Sequence, residues 1–297
     1  MTIDIICPLY NAEKMVLPLK ASIDKQKNVK LKSIRFVLTD STDKTEEILK
    51  QNNIEYTKIS KEDFSHSKTR EDAAMNSDAD IVVFITQDIE IQKEDWLEKL
   101  VAPIILGEAD AAFSRQLPRY KNIEKYTREK NYPAESYVNS KEDIEKKGLK
   151  AFFFSDASSA IKLSTFKKLG GYDGKRLPIN EDMYFAYKLI MNNYKIKYCA
   201  DSEVVHSHKF TLKEVYDRYR LTGRFMEENN YLDQFGTTKA GGGLAKYILI
   251  RSLKEFNVGV WFRFFPDMMT RWFGMRRGKK DVRKNFNKKM KMENISK

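Results

Sequence analysis

The side chains able to do chemistry gather in a few short stretches. "FITQDIEI" (84–91) is an apolar run broken by Thr86, Gln87 and Asp88. A lone carboxylate at the end of a strand-like run suits a divalent cation, because Mg2+ and Mn2+ favour one or two protein carboxylates plus phosphate oxygens and water. An ordinary turn aspartate is the plain alternative. "NED" (180–182) sets Glu181 beside Asp182 at the start of an amphipathic helical stretch. The helix dipole accounts for one acid there. A second is explained if one acid orients a partner while the other works as a base. "TDSTDKT" (39–45) places Asp40 at a strand end, able to accept hydrogen bonds from a base or sugar, with Asp43 a candidate helix cap. In "FSHSKTRE", His66 and Arg70 are four apart and can share a helix face, although a surface ion pair would also account for Arg70. In "VVHSHKF", His206 and His208 share one face of an extended segment and could ligate a metal or bind phosphate.

These residues need a frame. Apolar strand-like runs at Ile3–Cys7, Ile34–Leu38 and Ile81–Ile85, with a weaker one at Ile54–Ile59, alternate with helix-like stretches at Ala12–Gln26, Thr42–Gln51, Ser67–Met75 and Lys93–Leu100. Such alternation predicts βαβ units and a mostly parallel sheet. Ligands of such sheets bind beyond the carboxyl ends of the strands. The clusters "PLYN", "TDSTDKT" and "TQD" each follow a strand, so they belong on one edge.

Further along, Arg119–Lys150 reads as a polar surface insertion containing four tyrosines. "KAFFFSDASSAIKLSTF" reads as an aromatic strand, a small-residue turn and another apolar stretch. A short helix follows, with Ser164 as cap and Gly170–Gly171 as stop, then a helix capped by the Asn180 side chain. Tyr194–Cys199 and "SEVVHSH" read as two strands, and from Thr211 the pattern is helical, interrupted by "GTTKAGGG" (Gly236–Gly243).

With 297 residues and 41% hydrophobic composition the chain can bury a real core. Of its formal charge of +12, +9 lies between Thr270 and Lys297. A near-neutral body with a basic tail suggests an anionic partner, either membrane lipid or nucleic acid. Cys7 and Cys199 sit in apolar stretches and read as buried free thiols, as a reducing cytoplasm would keep them. There is no signal-peptide pattern, no sign of a leading domain, and no apolar run near the ~18 residues a membrane span needs.

The ordered set "IDIICPLYN", "VLTDSTDKT", "FSHSKTRE", "FITQDIEI", "AFFFSDASSAIKLSTFKKLGGYD", "INEDMYFAYKL" and "VVHSHKFTLKEVYDRY" resembles the family 2 glycosyltransferases of the GT-A fold, in particular their bacterial rhamnosyltransferase-like branch. The likeness covers residues 1–225 and implies a catalytic domain there, with a nucleotide-sugar half (1–100) and an acceptor-side half (101–225). A helical, basic-aromatic extension follows at 226–297. The implied fold is an α/β, Rossmann-like, mostly parallel sheet flanked by helices.

The resemblance implies donor binding by Pro8, Tyr10, Asp40, Arg70, Gln87 and Asp88. It implies Asp182 as catalytic base with Glu181 beside it, Mg2+ or Mn2+ on Asp88 and His208, and Asp156 and His206 on the acceptor side. Thr86 stands where the family usually has the first acid of its metal motif. The implied reaction is inverting transfer from a nucleotide sugar, with dTDP-L-rhamnose expected and a UDP-hexose the rival donor. The acceptor is expected to be a lipid-linked saccharide of bacterial surface polysaccharide synthesis. Aromatics interleaved with arginines (Trp261, Phe262, Phe264, Phe265, Trp272 and Phe273 with Arg263, Arg271, Arg276 and Arg277) suit an interfacial helix at the inner face of the membrane. Packing on the catalytic domain or in a homodimer is the alternative. Nucleic-acid binding is disfavoured, because the charge sits at one end without a recognisable RNA-binding signature.

Overall fold

The computed structural model describes the backbone of residues 1–295, and the side chains within that span except those of 237–241 and 287–295. The last lysines of the basic tail therefore lie outside the described side chains. The first half alternates as the pattern predicts: β1 (Thr2–Leu9), α1 (Val16–Asp24), β2 (Lys30–Thr39), α2 (Thr45–Gln51), β3 (Tyr56–Ile59), α3 (His66–Met75), β4 (Ile81–Ile85) and α4 (Trp96–Ile105). Then come β5 (Ala111–Leu117), α5 (Ile123–Asn131), β6 (Tyr137–Asn139), α6 (Ile144–Lys147), β7 (Ser158–Lys162), α7 (Leu163–Lys168), α8 (Glu181–Met191) and β8 (Ile196–Val205). Helices α9 (Leu212–Glu228), α10 (Thr237–Lys254) and α11 (Val258–Ile295) complete the chain.

All eight strands form one sheet in the order β3-β2-β1-β4-β7-β5-β8-β6. The pairs among β3, β2, β1 and β4 are parallel; β7 runs antiparallel between β4 and β5, and β8 is parallel to β5. Alternation along the strands separates two cores. Ile3, Ile5, Cys7, Ile81, Val83 and Ile85 pack with α1 and α4 on one face. Ile6, Val82 and Phe84 pack with Phe166, Phe185 and Leu189 on the other.

Several local expectations change. The segment 119–150 is not merely a surface insertion: Tyr126 and Tyr132 are buried, and β6 forms an outer strand. Polar residues cover the outer side of α5 and hide an inward-facing apolar side. "FFF" (152–154) is not a strand; the small-residue turn after it is confined to Asp156–Ala157, because Ser158–Lys162 is itself β7. That strand is flanked on both sides, and Ser158 leaves room for the Trp96 indole, whose Nε1 donates to Ser114 Oγ at 3.0 Å. Ser164 does not cap α7, because the chain enters that helix straight from β7. The two expected strands at 194–208 are one, β8, with an irregularity in its register against β5 between Ser114 and Arg115. The helical break is confined to Gly236, at φ +78°; α10 starts at the next residue and runs through the glycines, which weaken a helix without forbidding it.

Candidate active site

Three groups of side chains occupy the carboxyl-end edge of the parallel strands. The first is a stitched rim after β1 and β2. Asn11 Oδ1 accepts from the Thr42 N–H at 2.9 Å, Asn11 N–H donates to Ser41 Oγ at 3.0 Å, and Ala12 N–H donates to Thr45 Oγ1 at 2.7 Å. Asp43 accepts from the Glu13 N–H and from the Thr45 N–H, both at 3.0 Å, so it ties the two loops at the start of α2. Gln87 clamps the loop after β1: its Oε1 accepts from the Tyr10 N–H at 2.7 Å and its Nε2 donates to the Tyr10 carbonyl at 2.9 Å. With its backbone fixed, Tyr10 leaves its ring exposed, with the Lys61 ammonium 5.3 Å from its centre; Asp40, at the end of β2, is also exposed, with Lys58 at 3.5 Å. Pro8 lies half-buried in β1 beneath this rim. Gln87 therefore shapes the rim through backbone contacts.

The second group surrounds Asp88, just past β4. His206 Nε2 lies 3.5 Å and His208 Nδ1 3.6 Å from Asp88 Oδ2. One donor atom from each of the three residues falls within 4.8 Å of the others. His206, expected on the acceptor side, thus stands with His208 at the carboxylate, because β8 ends beside β4's loop: Glu90 and Val205 pair across the gap. Gln116 orients His206. Its Nε2 donates to Ser155 Oγ at 2.8 Å, which turns its Oε1 to His206 Nδ1 at 2.9 Å. With Nδ1 donating to Gln116, Nε2 is the nitrogen turned to Asp88: it donates to the carboxylate while it carries a proton and offers a lone pair to a cation once that proton is lost. Burial pushes the Asp88 carboxyl up, but the hydrogen bond and charge of His206, then His208, more than reverse this and hold it below the usual carboxylate range. Burial, then His206, push His208 down to about 4, so it is neutral at pH 7. A carboxylate and two lone-pair-bearing nitrogens converging at these distances fit a divalent cation. Thr86, in place of a second acid, donates its N–H to the Ala157 carbonyl at 3.2 Å.

The third group is built around Arg70. Buried in α3, its Nη1 donates to Glu181 Oε1 at 2.7 Å and to the His66 carbonyl at 3.1 Å. Arg70 is therefore no surface ion pair. Asp156 is only 2% exposed, and both its oxygens are taken: Tyr172 O–H donates to one at 2.6 Å and Ser159 O–H to the other at 2.8 Å. Expected on the acceptor side, it is fixed by these bonds where it feels the charges of Arg70 and Glu181.

Asp182 is partly exposed and accepts from the Met183 N–H at 2.7 Å. Burial, then the charges of Glu181 and Asp156, raise its carboxyl well above the usual range. Burial raises Asp156 as well, against the pull of Arg70. Asn180 starts α8 not through a side-chain bond but through a left-handed backbone, φ 60° and ψ 25°, that asparagine tolerates. His66 lies apart from the other two histidines, edge-on to Phe64 at 5.1 Å.

Sequence reasoning missed three holders. Ser67 and Glu71, on α3, capture the loop leading to α8: Leu177 N–H donates to Ser67 Oγ at 2.8 Å and Gly174 N–H to Glu71 Oε1 at 3.0 Å. Gly171, at φ +51°, has no room for a side chain, since a Cβ would meet Glu71 Oε2 at 2.8 Å. Gln116 is the third. The only local signal was the polar spacing of "SHSKTRE", because Gln116 reads as an ordinary strand residue. The second and third groups are neighbours around the end of β1: buried Cys7 is raised mainly by burial, and feels both Arg70 and Asp88.

A sequence profile of the family described as Glycosyl transferase family 2 matches residues 4–170. The O-antigen chain rhamnosyltransferase RfbN of Salmonella typhimurium is 32% identical over 288 residues, covering 94% of this chain and 90% of the relative. WbaN of Salmonella anatum, with the same description, is 32% identical over 249 residues, covering 81% and 78%. Among solved structures, the mannosyltransferase PcManGT of Pyrobaculum calidifontis, in complex with GDP-Man and Mn2+, superposes with a TM-score of 0.59 at 15% identity, covering 94% of this chain and 85% of that one. S. aureus TarS 1–349 gives 0.56 at 17% identity, covering 96% and 92%. These likenesses establish the GT-A fold. The chain belongs to glycosyl transferase family 2 and is an inverting glycosyltransferase.

Proposed function

We propose that the protein transfers L-rhamnose from dTDP-L-rhamnose to a hydroxyl of a lipid-linked saccharide, at the inner face of the membrane, during bacterial surface polysaccharide synthesis. The donor assignment is supported by the 32% identity, across most of the chain, to two proteins described as O-antigen chain rhamnosyltransferases. The observation that carries the mechanism is the placing of a raised carboxyl, Asp182, on the same edge as the Asp88–His206–His208 cluster.

Inversion needs a base on the face of the donor sugar opposite the leaving diphosphate. Asp182 takes the proton of the acceptor hydroxyl. Its raised carboxyl is a better proton acceptor than an ordinary carboxylate once ionised, and the Glu181 beside it is pinned by Arg70. Tyr10 and Asp40 offer an exposed ring and carboxylate to the base and ribose on a rim locked by Gln87. Asp88, His206 and His208 would hold Mg2+ or Mn2+. When bound, the ion neutralises charge developing on the departing diphosphate. His206 is kept in ligating form by Gln116.

The test is a donor panel: purified protein with dTDP-L-rhamnose, UDP-glucose, UDP-galactose and UDP-N-acetylglucosamine, scored for release of nucleoside diphosphate. Turnover of dTDP-L-rhamnose at least tenfold above the others is expected. Preference for a UDP-hexose would overturn the donor and leave the fold-level reading in place.

A further inference from the structure

The two sides of α11 differ sharply. One side is buried: Val260, Phe264, Asp267, Gly274 and Gly278 face α5, α9 and α10. This orientation is fixed by close backbone crossing on α9. A Cβ added at Gly274 would lie 2.6 Å from the Tyr216 carbonyl oxygen, and one at Gly278 2.0 Å from that of Arg220. On the opposite side Val258, Phe262, Phe265, Met269, Trp272 and Phe273 are all exposed, Phe262 by 81% and Phe265 by 68%. They recur at the three-and-four spacing of a single helical stripe.

The same stripe continues as exposed Arg276, Lys280 and Lys284, with the Arg276 guanidinium 4.6 Å from the Trp272 ring centre. Arg263 and Arg271 turn inward, while exposed Arg277 pairs with Asp281 one turn along the helix. Arg271 pairs with Asp267 and donates to the Tyr219 hydroxyl at 2.6 Å; Arg263 donates to the Phe210 carbonyl at 2.8 Å. The aromatics and arginines of this region are thus sorted by the packing: Phe264, Arg263 and Arg271 serve the fold, while Phe262, Phe265, Trp272, Phe273 and Arg276 face outward.

We infer that this side of α11 lies on an anionic membrane surface, with the aromatic block at the headgroup–acyl boundary and the basic run on lipid phosphates. Among the described residues no helix is long and apolar enough to cross a membrane, so the mode is to lie on the surface. A charge of +9 after Thr270 favours an anionic bilayer, which neutralises it, over a second copy of the chain, which carries the same charge. Docking in this way also places the active site near lipid. Arg263 holds the Phe210 carbonyl, and the Phe210 ring stacks 4.8 Å from His208. The inference deepens the lipid-linked acceptor reading but rests on the α11 face alone, so vesicle binding can hold even if the donor or acceptor assignment fails.

The test is co-sedimentation of the full chain with vesicles of phosphatidylcholine alone, or mixed with phosphatidylglycerol, at rising salt. Binding to the mixed vesicles only, weakened by salt, is expected. Phe262→Ser with Phe265→Ser and Trp272→Ser should weaken it by roughly tenfold or more. Arg276→Ser with Lys280→Ser should cost roughly fivefold per charge. Each variant should keep the wild-type melting temperature and donor hydrolysis, which separates lost docking from lost folding. Wild type left in the supernatant, or an aromatic variant that binds like wild type, overturns the inference. So does light scattering that finds a wild-type dimer which the aromatic changes split, because the face then belongs to a second copy.

Discussion

Arg70 lies buried among Glu181, Asp156 and Asp182, whereas the Asp88 carboxylate meets two histidines and, among the described residues, no lysine or arginine. The first cluster brings its own cation. Its single guanidinium serves three carboxylates, so Asp156 and Asp182 are both pushed up, and Asp182 is the one left partly exposed. The second cluster is half-open, with His206 held ligand-side out and His208 neutral at pH 7. A fixed internal cation makes a rigid site that manages a proton. A carboxylate between two imidazoles makes a site that takes its cation from solution.

Breaking the first cluster at its working end should have the largest effect. Asp182→Asn is expected to lower transfer by about 10²–10⁴ with donor binding kept, read by kinetics against dTDP titration. Full activity would remove the base assignment. Arg70→Met strands the buried Glu181 and Asp156 and should destabilise the fold by about 3–5 kcal/mol, seen in urea unfolding; a change within error would mean the acids are compensated elsewhere.

In the second cluster, Gln116→Leu frees the His206 ring without touching a ligand, and should weaken Mn2+ binding by about 10–100-fold, while Gln116→Glu, which still accepts from Nδ1, should restore much of it. The smallest effect sharpens the contrast through pH. Asp182 must be ionised to act, so activity falls as pH drops through its raised pKa. Glu181→Gln removes the neighbouring charge that helps raise it, and the acidic limb of the kcat/KM profile should move to lower pH. An unmoved limb would assign that limb to another group.

The two clusters also differed in how much of them could be read beforehand. Asp88, Asp40 and Tyr10 were legible because each follows an apolar run, and parallel strands deliver such positions to one edge. "NED" was legible as a pair, but its compensation was not: nothing local links Arg70 to Glu181, which only the packing of α3 against α8 brings together. His206 and His208 were seen as a pair. Their shared carboxylate depended on β8 ending beside the β4 loop, a consequence of non-sequential strand order. β7 escaped notice because its serines and alanine serve a tight sandwich between neighbours rather than a hydrophobic pattern. The aromatic-basic composition of α11 was plain, but which rings face outward was decided by Gly274 and Gly278 against α9.

The contrast is tested most directly by Mn2+ titration, followed by electron paramagnetic resonance in the presence of dTDP, on wild type, Asp88→Asn and Asp182→Asn. The account predicts that Asp88→Asn loses Mn2+ binding while Asp182→Asn binds as wild type does. Equal loss in both variants, or undiminished binding by Asp88→Asn, would contradict it.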